Sequence, residues 1–187
     1  MSYYDDIYEY AADNYGLITS ADARELGIPN IELVKLAHRG RLIRIGQGVY
    51  RAKHYIPTPL DKYAEAVALA GRDAYIYGES VLAMHSFAFV NPTVITVATT
   101  IRKRKKQTPG IVIITRHDRD QVVHYEGIPS QSIFEAILTC KTSVMRERLK
   151  DAVDEAFRQG LINEQEAITA RKEINDGRKN AEQQAKS

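Results

Sequence analysis

The stretch from Gly16 to Arg51, GLITSADARELGIPNIELVKLAHRGRLIRIGQGVYR, decides the fold of the N-terminal part of the chain. Leu17 and Ile18 are a short apolar pair, and Thr19 or Ser20 follows with a hydroxyl able to accept from the free N–H groups at a helix start. A short helix is expected over 21–26, stopped by Gly27 as the residue beyond its C-cap. Pro29 suits the first position of a third helix over 29–39, because the N–H it lacks would have no partner there. Gly40 closes that helix. Residues 42–45 then alternate apolar with basic, 46–48 supply a turn, and 49–51 return as a second strand. Upstream, Tyr4, Ile7, Tyr8 and Ala11 fall at i, i+3, i+4 and i+7, an amphipathic helix over 3–14 that Asn14 and Gly16 end. A helix, a tight glycine turn, a helix and a hairpin read in this order as a winged helix-turn-helix.

Charge is concentrated on the same stretch. From Leu33 to His54 there are six basic residues, Lys35, Arg39, Arg41, Arg44, Arg51 and Lys53, and no acid, although the whole chain carries a formal net charge of only +2. Such clustering is the electrostatic footprint of a nucleic-acid binder. A second basic run, Arg102, Lys103, Arg104, Lys105 and Lys106, is a possible additional nucleic-acid contact. On the third helix, Ile31, Val34 and Ala37 are expected to face inward, leaving Asn30, Lys35, His38 and Arg39 exposed. Asn pairs bidentately with adenine, and Lys or Arg with guanine, in a major groove wide enough to admit a helix. Arg41, Arg44, Gln47 and Arg51 on the wing would reach phosphates or the neighbouring minor groove.

The rest of the chain reads as a mixed α/β region ending in helices, giving an α+β chain overall. Tyr55-Ile56-Pro57-Thr58-Pro59 contains two prolines and reads as a linker. Helices are expected over 60–70, 79–87, 131–139, 143–159 and 163–174, with Ser130 capping the third of these. Strands are expected over 74–77, 93–98, 111–115 and 121–125, and Gly127-Ile128-Pro129 reads as a turn. Val144, Leu149, Val153, Ala156 and Phe157 are assigned to one packing face. Three segments result: 1–54 a DNA-binding module, 55–176 an α+β domain, and 177–187 a flexible polar tail.

Composition and motifs argue against several function classes. The one cysteine, Cys140, excludes an internal disulfide and reads as a small buried hydrophobe. No metal-ligand cluster, phosphate-cradling glycine loop or nucleophile elbow is present in the sequence. His117-Asp118 beside Arg119-Asp120 lacks a nucleophile, and His85 on an apolar helix reads as a core or interface histidine. Neither Asp-x-Lys nor Glu-x-Lys, the acid-x-Lys element of many nucleases, occurs in the chain. No catalytic residue, cofactor or metal is therefore expected. The start carries no secretory signal and no apolar run spans a bilayer, so a cytoplasmic protein without a membrane partner is expected.

The 16–51 stretch, above all Arg39-Gly40-Arg41-Leu42 and Gly48-Val49-Tyr50-Arg51, resembles the N-terminal winged helix-turn-helix of the AbiEi family of antitoxins. Residues 77–85, YGESVLAMH, and 152–161, AVDEAFRQGL, resemble later segments of the same family. The resemblance implies a type IV antitoxin that binds repeats in the promoter of its own operon and represses it. It further implies a nucleotidyltransferase-like toxin that the antitoxin counters without a stable complex, with antitoxicity in the C-terminal part. The competing reading is a winged-helix module for protein contacts, or an orphan regulator in phage defence without antitoxin activity.

Overall fold

The computed structural model describes residues 3–101, 108–117 and 121–184. The basic run Arg102 to Lys106, and Asp118, Arg119 and Asp120, lie outside the described residues. The fold is α+β, in two units, Met1–Arg72 and Asp73–Ser187.

The first unit runs α1 (Tyr3–Asp13), β1 (Leu17–Thr19), α2 (Ser20–Glu25), α3 (Asn30–His38), β2 (Leu42–Gly46), β3 (Val49–Ala52) and α4 (Asp61–Ala70). Its three strands form an antiparallel sheet in the order β1-β3-β2. Leu17 and Ile18 are thus a strand in their own right, pairing with Arg51 and Tyr50. The core gathers Ile7 and Ala11 of α1, Ile18, Ala23 of α2, Ile28 of the turn, Leu33 and Leu36 of α3, and Leu42, Tyr50 and Ala52 of the hairpin. Every element except α4 contributes to that one cluster, so removing apolar surface from water ties the helices to the wing.

The expected linker is instead part of this unit. Tyr55 packs against the core cluster. The Asp61 carboxylate at the start of α4 accepts from the Thr58 N–H at 3.0 Å, the Thr58 hydroxyl at 2.6 Å and the Tyr55 hydroxyl at 3.2 Å. The Arg51 guanidinium of β3 pairs with Glu65 of α4 at 2.9 Å. These contacts place 55–72 with the N-terminal module, so the division falls after Arg72 rather than after His54.

The second unit carries β4 (Tyr75–Ile76), α5 (Glu79–Met84), β5 (Ile95–Thr99), β6 (Ile111–Thr115), β7 (Val122–Tyr125), β8 (Ile128–Gln131), α6 (Ile133–Thr139), α7 (Arg146–Arg158) and α8 (Glu164–Gln184). The sheet order is β6-β5-β4-β8-β7, with β5–β6 and β4–β8 parallel and the other pairs antiparallel. Residues 128–131 are a strand, not a turn. Glu126 and Gly127 make the turn, both at positive φ (49° and 79°), as a two-residue hairpin of the right twist requires. Ser130 and Gln131 are consequently buried in that strand, and Ser132 caps α6 by accepting from Glu135 N–H. Leu149, Ala152, Val153 and Ala156 make the buried face of α7, whereas Phe157, expected on it, is 46% exposed. α8 continues past Gly177 to Gln184 instead of ending in a tail.

Candidate nucleic-acid interface

Local sequence sets the angle between α2 and α3. Thr19 and Asp22 form a reciprocal cap: the Thr19 hydroxyl oxygen accepts from Ala21 and Asp22 N–H at 3.2 Å, and the Asp22 carboxylate accepts from Thr19 N–H at 2.8 Å. At the other end Gly27, φ 71°, lets Ile28 N–H reach back to Ala23 C=O at 2.7 Å while Gly27 N–H bonds Arg24 C=O at 3.1 Å. This paired closure is a Schellman motif, which needs the left-handed conformation that glycine adopts without strain. It drops Ile28 into the core and starts α3 at once. Pro29 sits one position earlier than expected, as the N-cap with extended ψ of 134°, and Asn30 is the first helical residue. The same motif ends α3: Arg41 N–H bonds Leu36 C=O at 2.9 Å and Gly40 N–H bonds Ala37 C=O at 3.0 Å.

The face of α3 differs from the sequence expectation. Leu33 (0% exposed) and Leu36 (8%) point into the core, with Ala37 partly buried beside them. Ile31 (54%) and Val34 (49%) are exposed. Both 31-34-38 and 33-36-37 are helical repeats. The second wins because Ile28 before the helix and Leu42 after it are anchored in the core, which fixes the helix's rotation. The outward face therefore presents Asn30, Ile31, Val34, Lys35, His38 and Arg39, all exposed.

Glu32, just before the acid-free stretch, modifies its electrostatics. Lys35 donates to the Glu32 carboxylate at 2.8 Å across one helical turn, an exposed pair contributing a few tenths of a kcal/mol that salt screens. On the wing, Ile43, Arg44 and Gln47 are exposed. Arg44 Nε donates to Gly46 C=O at 3.2 Å, beside the register shift between Arg44 and Gly46.

Two of the expected contact residues are engaged within the module. Arg41 donates to the Tyr4 hydroxyl at 3.0 Å and lies over that ring, 5.0 Å from its centroid. The guanidinium hydrogen bond holds the Tyr4 hydroxyl below its ordinary pKa. Tyr8, whose ring stacks on Tyr4 at 4.6 Å, donates its hydroxyl to Arg41 C=O at 3.0 Å. Arg51 is held by Glu65, as described above. The structure thus brings Asn30, Lys35, His38 and Arg39 onto one helix face, with Arg44 and Gln47 on the wing. It turns Arg41 toward α1 and Arg51 toward α4. The exposed apolar pair and the Tyr4–Arg41 stack escaped the sequence reading. An alternative helical phase, and the i, i+4 placement of Tyr4 and Tyr8, were their only signals.

In the second unit the described candidates of the sequence are Cys140, His85 and His117. Cys140 is buried, which pushes its thiol up to about 12. His85 lies 3.8 Å from the Tyr125 ring and 5.4 Å from Phe87, and burial pushes its pKa down to about 4. His117 is exposed beyond β6. Among the described residues no helix is long and apolar enough to cross a membrane, and no group of three or more His, Cys, Asp or Glu is placed to hold a metal ion.

Residues 5–53 match the model of a family described as transcriptional regulator, AbiEi antitoxin. The match runs from α1 through the wing and so covers every residue of the exposed basic face. No curated protein matches the chain.

Proposed function

We propose that this chain is a cytoplasmic DNA-binding transcriptional autorepressor and type IV antitoxin that counters a cognate nucleotidyltransferase-like toxin. The observation carrying the reading is the outward face of α3. It is exposed, bordered by cations, and held rigidly by Schellman closures at both its entry and its exit. Residues 5–53, the segment matched to regulator-type antitoxins, are the segment that builds it.

In this reading α3 enters the major groove, with Asn30 toward adenine and Lys35 toward a base edge or phosphate. Lys35 gives up its weak pair with Glu32 at small cost, since that pair is exposed and salt-screened. His38, Arg39, Arg44 and Gln47 meet phosphates on either side and set the register. Arg41 and Arg51 act first as supports. The Tyr4 stack fixes the corner between α3 and the wing, and the Glu65 pair fixes β3, while donors not used internally remain for the backbone. Bound at repeats in its own promoter, the protein would occlude transcription of the operon. Antitoxicity is assigned to the second unit on the resemblance of residues 77–85 and 152–161, and the toxin is countered without a stable complex.

The test titrates the full chain against a duplex of its own upstream region and against a scrambled duplex, with Arg39→Ala/Arg44→Ala as control. Selective binding that the variant loses supports repression, and growth rescue upon co-expression with the neighbouring toxin gene supports antitoxicity. Equal, weak binding to both duplexes refutes the DNA reading. It would favour the protein-interaction reading, which the exposed Ile31 and Val34 also fit.

A further inference from the structure

We infer that Ile31 and Val34 read thymine 5-methyl groups in the major groove, so that the site facing α3 is built on A·T pairs. The inference rests on the DNA-binding reading and specifies its sequence class. Ile31, Val34, Lys35 and His38 occupy i, i+3, i+4 and i+7, one stripe along α3, with Asn30 at the head of the helix. The core does not need the two apolar side chains, because Leu33, Leu36 and Ala37 already fill the inward face. Nor does the helix need them. β-Branched residues lose χ1 freedom there and are poorer helix formers than alanine, lysine or glutamate at an exposed position.

What they provide is a rigid apolar surface. Val and Ile hold almost one χ1 rotamer in a helix, so their methyl groups present a preformed face that loses little entropy on contact. Charge complementarity decides what that face meets. Lys35, His38 and Arg39 lie on the same helix and Arg44 on the wing. A polyanion with an apolar feature inside its groove fits this arrangement. The thymine methyl is the only apolar group that base edges offer in the major groove, and an apolar side chain is the group that contacts it. Asn30, one residue from Ile31, carries the amide that pairs with N6 and N7 of adenine, the partner of that thymine. Residues at the N-terminal part of a recognition helix are those that approach base edges. Asn30 and Ile31 lie in the first turn of α3, and Val34 is its middle residue.

The probe is the upstream duplex prepared once with thymine and once with deoxyuridine at every thymine position, which deletes only the methyl groups. Burying one methyl changes affinity by roughly three- to fourfold. The intact protein should therefore prefer the thymine duplex by about tenfold if two methyls are covered. The Ile31→Ala/Val34→Ala variant, with its helical circular dichroism unchanged, should bind both duplexes alike, near the affinity of the intact protein for the deoxyuridine duplex. Selective binding of the intact protein that is indifferent to the methyl groups overturns the inference and leaves the DNA reading standing. A methyl preference of the same size in the variant also overturns it, by assigning the effect to duplex shape. So does a variant that loses self-association in sedimentation without DNA, which would make the patch an interface between copies of the chain. Absence of selective binding to either duplex means instead that the DNA reading itself has failed.

Discussion

Leu33→Ala and Ile31→Ala, two residues apart on α3, should differ severalfold in their effect on stability. Leu33 is 0% exposed within the cluster that joins α1, α2, α3 and the hairpin. Truncating it removes a fully buried side chain and leaves a cavity, at a cost of about 3 to 4 kcal/mol. Ile31 is 54% exposed, so only about half of the burial value of an isoleucine, ~1 kcal/mol, is lost. Alanine returns roughly 0.4 kcal/mol of that through its better helix propensity. The net loss for Ile31→Ala is about 0.5 kcal/mol. A unit of this size shifts its midpoint by about 4–8 °C per kcal/mol, which predicts a fall of at least 12 °C for Leu33→Ala and only a few degrees for Ile31→Ala. The chain itself supplies the probe: it has no tryptophan, and eight of its 11 tyrosines lie in residues 1–72, so tyrosine fluorescence of the full chain follows the first unit. Similar losses for the two variants, or a larger one for Ile31→Ala, would turn α3 by a third of a revolution. Both the candidate interface and the thymine-methyl inference would then fall.

Three other outcomes are expected. Thr19→Ala removes the acceptor for Ala21 and Asp22 N–H and should destabilise the first unit by about 1 kcal/mol in a denaturant titration, with Thr19→Ser recovering most of it. Gln131→Leu deletes the buried amide that accepts from Gly78 N–H at 3.1 Å and donates to the Thr139 hydroxyl at 3.0 Å. Leaving the Gly78 N–H without that acceptor should cost the second unit about 1–3 kcal/mol, read by hydrogen exchange at Gly78 and by its unfolding midpoint. His85 has a folded-state pKa near 4 against 6.5 unfolded, so the unfolded state binds the proton first as pH falls. Stability of the second unit is full above about pH 6.5 and should decline toward pH 4, by about 2 to 3 kcal/mol in all, and His85→Phe should flatten that slope.

Where single residues have only one sensible role, the sequence was legible. Gly27 and Gly40, each placed to end a helix, and the alternation of Leu42 to Ile45 before Gly48 located α2, α3 and the wing to within a residue or two. The rotation of α3 was not legible, because Ile-Glu-Leu-Val-Lys-Leu-Ala offers two apolar stripes of the same period. Only tertiary anchoring by Ile28 and Leu42 chooses between them. Pro129 disguised β8 as a turn, since proline is usually excluded from inner strands. It is tolerated because β4 is two residues long and pairs with β8 only at Ser130, so the missing N–H removes no bond on that side. The engagement of Arg41 and Arg51 was equally hidden. Arg41 stacks on Tyr4, 37 residues earlier, and Arg51 pairs with a helix that had been assigned to the other side of a linker.

The grip of α3 and the wing on the phosphate backbone is tested most directly by the salt dependence of DNA affinity. The exposed cations of this face, Lys35, Arg39 and Arg44, would neutralise about three phosphates, giving a slope of log affinity against log salt of about −2.7. Arg39→Ala/Arg44→Ala should reduce that slope by nearly 2 while leaving the fold intact. A slope near zero, or one that the double variant leaves unchanged, would contradict that grip.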